Sequence, residues 1–438
     1  MTEECNPLQK TAGAENQISP DCHPAPPILR RGGGPAPVSF EQLRLWFLDQ
    51  LEPDNPLYHI SYAVRLHGAL DAQALSQSLA EIARRHEVLR STFQLSADEP
   101  VQRVSPVRPV TLPVIDLQSV PAERREAEAQ RRAVEEVRQP FKLETGHLMR
   151  ACLFRLGDAE HLLTLVWQNI VFDSWSENVF CAELNALYAA FRAGQPSPLP
   201  ELPIQYADYA SWQRERLRGP ELEPLLAYWK TKLAGQPEDL QLPTDRPEPP
   251  VRSLRGEVMD DALDAATAKA VRRLSQAAGV TPFTLFVTVV QTLLYRYAGQ
   301  EDLTIGVLTE GRAPVQTEGL IGFFDNTLPV RADLSGNPPF RDALARVART
   351  LGEAFAHGEL PFEKMVELVR PERALSRNPL FRVMLIQQSP PLAALALPEL
   401  EVVTEELFNG VAKFDFTLFV TDLGESFPFA CRIQHGPV

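Results

Sequence analysis

Cysteine is scarce and unpatterned in this chain: the five present are Cys5, Cys22, Cys152, Cys181 and Cys431, and no two stand in Cys-x-x-Cys spacing. Zinc ribbons and disulfide-stapled secreted scaffolds need clustered or regularly spaced thiols, so both are excluded, and reduced thiols in a cytoplasm are expected. No metal site is expected either. Long apolar runs are missing too. No stretch approaches 18 uncharged apolar residues, and the first thirty positions hold no run of signal-peptide length. Positive charge is in deficit, with 43 Lys and Arg against 57 Asp and Glu and a formal net charge of −14. Binding to a phosphate backbone runs on clustered cations, so neither nucleic acid nor a membrane is an expected partner.

What is present describes a globular, cytoplasmic protein. Apolar residues make up 44% of the chain and charged ones 23%, enough to bury a core. At 438 residues the chain exceeds one ordinary core, and two lobes are the first expectation. Residues 1–36 are poor in large apolar groups and contain Pro24-Ala25-Pro26-Pro27 and Gly32-Gly33-Gly34-Pro35, the composition of a linker or tail. From Val38 the pattern changes. Leu75, Leu79, Ile82, His86 and Leu89 recur at helical spacing, and residues 121–138 read as a solvated Glu/Arg helix stopped at Gln139-Pro140. Strands are expected at 148–156 and 161–167 around a turn at Gly157-Asp158, followed by a helix marked by Phe180, Leu184, Leu187, Tyr188 and Phe191 that stops at Gly194. Residues 173–176 thus form a strand-to-helix junction. Four prolines between Gln195 and Pro203 place the lobe boundary there, giving lobes at 37–200 and 201–438. A second α/β set follows, with a helix over 282–297 and strands near 303–308 and 380–386.

Six stretches, in order, carry a resemblance: SFEQLRLWFL from Ser39, RHEVLR from Arg85, YADYASWQR from Tyr206, IGFFDNTL from Ile321, HGELPFEK from His357 and NPLFRVM from Asn378. Together they resemble the core motifs of condensation domains of nonribosomal peptide synthetases. The resemblance implies an α/β fold of two chloramphenicol-acetyltransferase-like lobes, set as a V-shaped pseudo-dimer around a central tunnel, with a closing strand and helix beyond Val438. It implies peptidyl carrier proteins and adjacent synthetase domains as partners. The phosphopantetheine arms belong to the carriers, and no cofactor is expected on this chain.

The family's chemistry is centred on a His-His-x-x-x-Asp-Gly motif at the junction already located, and here the stretch reads Gln168-Asn169-Ile170-Val171-Phe172-Asp173-Ser174. The second histidine, which handles the proton of the attacking amine, falls on Asn169. An amide has no accessible titration, so it can orient a substrate but cannot act as a base. Asp173 is retained, and the resemblance implies a structural role for it, with Arg90 as the expected partner of a buried pair. Ser174 stands where the family has glycine and forms, with Glu177, a Ser-x-x-Glu capping box ahead of the helix. His86, on an apolar helix face, and His357, heading a docking motif, read as structural, so neither replaces the missing base. Asp325 takes the place of an aliphatic residue before Asn326, and both are candidates to line the tunnel. Asp173 and Ser176 also fit a heterocyclisation motif, but its first position here is Gln168.

Three functions are compatible with this pattern. The first is a platform without its own chemistry, like the family's X domains and interface domains, which recruits a tailoring oxygenase or hydroxylase in trans to a carrier-bound amino acid. The second is an enzyme that still forms an amide or ester bond by positioning alone, since a free amine attacks a thioester without a base when both arms are held together. The third is an inert spacer. Retention of the lobe and tunnel motifs favours the first.

Overall fold

The computed structural model describes residues 26–53, 55–107, 112–237, 240–243, 254–369 and 380–434. Asn378 and Pro379 of the last motif, and Cys5 and Cys22, lie outside them. Among the described residues, three sheets organise the chain. The first large sheet runs in the order Leu400–Glu406, His59–Gly68, Glu160–Gln168, Met149–Arg155 and Val114–Asp116. The second runs Asn326–Asp333, Asp302–Thr309, Val383–Gln388, Phe416–Thr421, Phe427–Gln434 and Gly256–Leu263. A small sheet joins Ala36–Pro37, Glu99–Val104 and Ser91–Ser96.

The hairpin Met149–Arg155 and Glu160–Gln168 forms as its pattern requires, antiparallel with Leu153 opposite Leu163. From His161 to Gln168 the second strand is buried at every residue, which explains its nearly unbroken apolar run. Helix Ala122–Arg138 buries only Ala129, Ala133 and Val137, at i, i+4 and i+8, and turns its Glu and Arg outward, where Arg131 and Glu128 pair at 2.8 Å. Helix Pro282–Ala298 starts with Pro at its first turn behind the Thr281 cap and stops at Gly299, whose φ of 68° is left-handed. Among the described residues no single helix is long and apolar enough to cross a membrane.

Among the described residues, two hydrophobic cores follow the two large sheets. The first draws on residues from Ile28 to Ala210 and then again on Leu320, Ile321, Phe324, Leu392, Leu395, Leu397 and Leu407. The second runs from Leu217 to Phe427, with Phe40 inserted from the N-terminal side. Strand Leu400–Glu406 returns to pair antiparallel with His59–Gly68 in the first sheet, Val402 opposite Leu66, so the chain passes between the two cores more than once.

The segment expected to be a tail through residue 36 is not one from Pro26 onward. Ile28 is 2% exposed, and its N–H and C=O are both met by the Gln316 side chain at 2.9 and 3.1 Å. Asp208 accepts from Arg30 Nη1 at 3.2 Å and from the Arg31 amide at 2.8 Å. A poorly apolar segment is ordered here by ionic and backbone partners on the body and by one buried isoleucine.

Candidate functional site

The junction between strand Glu160–Gln168 and helix Ser174–Arg192 is made by side chains that satisfy their own backbone. Gln168 Oε1 accepts from the Ile170 amide at 2.6 Å, which closes the short 3-10 turn Asn169–Val171. Asn169 Nδ2 donates to the Phe172 carbonyl at 2.9 Å. Helix Phe40–Leu51 of the first motif braces the turn through Gln42 Nε2, which donates to the Ile170 carbonyl at 3.2 Å. Both amides, Gln168 and Asn169, are buried.

The helix cap differs from the expected one. Asp173, not Ser174, occupies the N-cap and accepts from the Ser176 amide at 2.8 Å and the Ser176 hydroxyl at 2.6 Å. Ser174 is the first helical residue and lies exposed. A carboxylate one residue earlier reaches the same orphan donors, so Ser174 has no capping work left. Glu177 faces elsewhere, taking a hydrogen bond from the Tyr62 hydroxyl and another from the Leu392 amide at 3.3 Å.

Asp173 is fully buried and paired, but its partner is Arg312 and not Arg90. Arg312 Nη2 lies 2.9 Å from Asp173 Oδ1 and 3.1 Å from Oδ2, with the two side chains 3% and 0% exposed. The Phe324 amide donates to Asp173 Oδ2 at 2.9 Å. Arg312 also donates to the carbonyls of Thr317 and Leu320 at 2.7 and 2.8 Å and lies 3.9 Å over the Phe324 ring. Arg90 instead ends the turn Glu87–Arg90, donates to the Ser105 carbonyl and stands 3.6 Å from Glu87. The Ser105 carbonyl and Glu87 hold its guanidinium at that turn, so Arg312 takes the place at Asp173.

The remaining motif residues tie elements together. His86 accepts from the Ile321 amide through Nδ1 at 3.1 Å and faces Glu183 through Nε2 at 3.1 Å. His357 stacks on Tyr228 with centroids 3.8 Å apart. Asn326, expected to line the tunnel, is buried: its Nδ2 donates to the carbonyls of Gly358 and Leu360 at 2.9 and 2.8 Å, and its Oδ1 accepts from the Phe362 amide at 3.1 Å. Clamping that loop leaves its amide nothing to offer a substrate. Among the described residues no cluster of His, Cys, Asp or Glu could hold a metal ion.

Four ionisable side chains outside the motif, Lys413, Asp325, Glu310 and Glu177, lie close enough for Asp325 to feel Glu310 and Glu177 and for Lys413 to feel Asp325. Lys413, just ahead of strand Phe416–Thr421, places Nζ 3.3 Å from Asn169 Oδ1. The Lys413 side chain is exposed to solvent; the protein crowded round it, with Arg432 and Arg44 nearby, pushes its ammonium down from the usual lysine value. Asp325 is half-buried, and its carboxyl is held well above the usual range by burial and then by the charge of Asp173. Burial also raises Glu310, with Asp173 adding to it. Glu177 is pushed up to about 8, chiefly by burial. Sequence reasoning missed Lys413, Arg312, Glu310 and the Glu177–Tyr62 contact. The only signal for Lys413 was a lone cation one residue past buried Ala412, and no periodicity marks it.

Glu177 gives a pH-dependent expectation. Its carboxyl sits above the ordinary value of 4.5 in the folded chain, so the stability it contributes is present at low pH and is lost as pH climbs through about 8. Glu177→Gln is neutral throughout. The gap between the urea midpoints of variant and wild type should therefore widen in the variant's favour from pH 5 to pH 8, and a gap that stays constant across those pH values would refute a protonated Glu177.

A family model for the condensation domain matches residues 34–435. This chain belongs to the condensation-domain family. Part of the linear gramicidin synthase of Brevibacillus parabrevis is 46% identical to it over 88% of the chain, which spans only 5% of that protein's length. The crystal structure of the X-domain from teicoplanin biosynthesis is 30% identical, with a TM-score of 0.83 over 93% of this chain and 92% of that one. The X-domain has also been solved in complex with OxyB, and there the TM-score is 0.82 over 93% of this chain and 90% of that one, again at 30% identity. Within this condensation domain, the buried amides at 168 and 169, with Lys413 on Asn169, and the Asp173–Arg312 pair stand at the two ends of one short junction.

Proposed function

We propose that this condensation domain is a docking platform of a cytoplasmic nonribosomal peptide synthetase. It recruits a tailoring oxygenase, a haem monooxygenase or nonhaem iron hydroxylase, to an amino acid held on the phosphopantetheine arm of a carrier protein. The observation that carries the reading is the likeness, over nearly the whole chain, to an X-domain solved together with OxyB. The junction agrees with it. Gln168 and Asn169 spend their amides on the Ile170 amide and Phe172 carbonyl, so neither motif position offers a titrating group to a substrate.

Recruitment requires a specific patch with measurable affinity. Transient interfaces near a total of about 1,600 Å² commonly bind at micromolar level, with a few aromatic or arginine anchors carrying most of the energy. Calorimetry with the oxygenase encoded beside this domain should give a dissociation constant on the order of micromolar, and adding the domain should raise hydroxylation of the carrier-bound amino acid. No binding at tens of micromolar, together with equal hydroxylation without the domain, would leave the spacer reading in its place.

A further inference from the structure

The chain enters the domain along a path that its composition makes easy to leave. In residues 26–31 a single side chain is buried: Ile28 is 2% exposed and belongs to the first hydrophobic core. The Gln316 side chain closes on its backbone, accepting from the N–H at 2.9 Å and donating to the C=O at 3.1 Å, so one amide does the work of a neighbouring strand. The other anchors are polar and lie at helix Tyr206–Arg216. Trp212 Nε1 donates to the Pro26 carbonyl at 2.8 Å, Asp208 receives Arg30 and the Arg31 amide, and Arg31 Nη1 reaches the Ser211 hydroxyl at 2.9 Å. The Arg30 side chain is 45% exposed, and ion pairs at such positions contribute little.

Gly32, Gly33 and Gly34 follow. All three are exposed, a Cβ at any of them would meet nothing within 4 Å, and Gly34 has a φ of +105°. The backbone is free to turn there. Beyond the glycines the chain is fastened again, where Ala36 and Pro37 pair antiparallel with Gln102 and Val101. Residues 26–31 can therefore swing away while the strand at 36–37 stays paired, at the loss of one buried isoleucine and a few surface contacts. A segment held by so little opens far more readily than the fold as a whole.

The segment holds the loop that carries the latch between Arg312 and Asp173. Gln316 lies in the turn Val315–Thr317, and the Thr317 carbonyl accepts from Arg312 Nη1 at 2.7 Å. The same guanidinium grips Asp173 through Nη2. Trp175, in the first turn of the helix that Asp173 caps, donates to the Glu318 carbonyl at 2.9 Å and ties the helix to the same loop. A line of contacts thus runs from Ile28 through Gln316, Thr317 and Arg312 to Asp173.

We propose that residues 26–31 are a releasable strap, hinged at 32–34, whose docking on Gln316 and helix Tyr206–Arg216 holds the Arg312 loop against Asp173. Docked, the strap fixes the strand-to-helix junction; released, it lets loop and junction loosen together. Whatever draws the chain ahead of Pro26 away from the helix is then felt at Asp173. This goes beyond the recruiting role and does not depend on it.

The test uses the full chain and two readouts. Trypsin cleavage at Arg30 and Arg31, followed by mass, reads the strap, and hydrogen exchange of the Ser176 and Phe324 amides, both held by Asp173, reads the latch. Ile28→Asp places a charge at the buried position, and Gln316→Leu removes both hydrogen bonds at similar size. Each should speed cleavage and latch exchange by roughly 10-fold, while the Ile305 and Val307 amides of the second sheet exchange as in wild type. Leu29→Asp makes the same kind of change at a side chain 76% exposed and should alter neither readout. Coupling is reciprocal, so Asp173→Asn, which weakens the pair with Arg312, should speed cleavage at Arg30 and Arg31. Unchanged cleavage in both strap variants, or faster cleavage with unchanged exchange at Ser176 and Phe324, overturns the proposal. So does unchanged cleavage in Asp173→Asn, or a Leu29→Asp variant that matches Ile28→Asp. Should Ile28→Asp lose protection at Ile305 and Val307 as well, the milder Gln316→Leu decides between these outcomes.

Discussion

Asp173→Ala is expected to destabilise the domain by about 3–5 kcal/mol, because it leaves the buried Arg312 guanidinium without its counter-charge. The side chain does three jobs: it pairs with Arg312, caps helix Ser174–Arg192 through Ser176, and receives the Phe324 amide. Arg90→Ala, which removes a partly exposed contact to the Ser105 carbonyl, should cost under about 1 kcal/mol. Denaturant midpoints at pH 7 read both. The double variant Asp173→Ala/Arg312→Met should be more stable than Asp173→Ala alone, since it removes the stranded charge together with its partner. Small and equal effects for Asp173→Ala and Arg90→Ala would mean that the latch carries no weight.

That latch also marks where the sequence stopped being informative. Local periodicity sufficed for the helices Ser174–Arg192 and Pro282–Ala298 and for the hairpin at 149–168, because apolar spacing, proline and glycine act within one element. The six motifs sufficed for the fold class. Arg312 was out of reach for a different reason. It lies in a loop after strand Asp302–Thr309, its partner is on another sheet's junction, and no local pattern around either distinguishes it from Arg90. Lys413 was hidden in the same way, since Lys413 and Asn169 meet only once the second sheet is placed against the first. The return of Leu400–Glu406 to the first sheet is likewise a property of long-range pairing. At the junction the error was one residue: a capping box was legible in Ser174 and Glu177, but Asp173 reached the donors first, and Glu177 was drawn off by Tyr62.

Gly311→Ala should cost about 2–4 kcal/mol, and through the same latch. Its φ of +60° is in the left-handed region, and a Cβ there would stand 2.0 Å from the Phe324 carbonyl oxygen and 3.0 Å from its carbon. The obstacle is backbone, so no rotamer change relieves it. Gly311 must come this close because the next residue, Arg312, has to reach Asp173 while its guanidinium covers the Phe324 ring and holds the Thr317 and Leu320 carbonyls. Pushing Phe324 aside also moves the amide that donates to Asp173. Gly279 supplies the control: its φ is +67°, it ends helix Ala265–Ala278, and a Cβ added to it would meet nothing within 4 Å, so Gly279→Ala should cost about 1 kcal/mol, the left-handed strain alone. Because Gly311 and Asp173 act on one contact, Gly311→Ala and Asp173→Ala combined should fall short of the sum of the two by about 0.5–3 kcal/mol. Equal costs for Gly311→Ala and Gly279→Ala, or strict additivity with Asp173→Ala, would show that the turn at 310–312 does not deliver Arg312 to its partner.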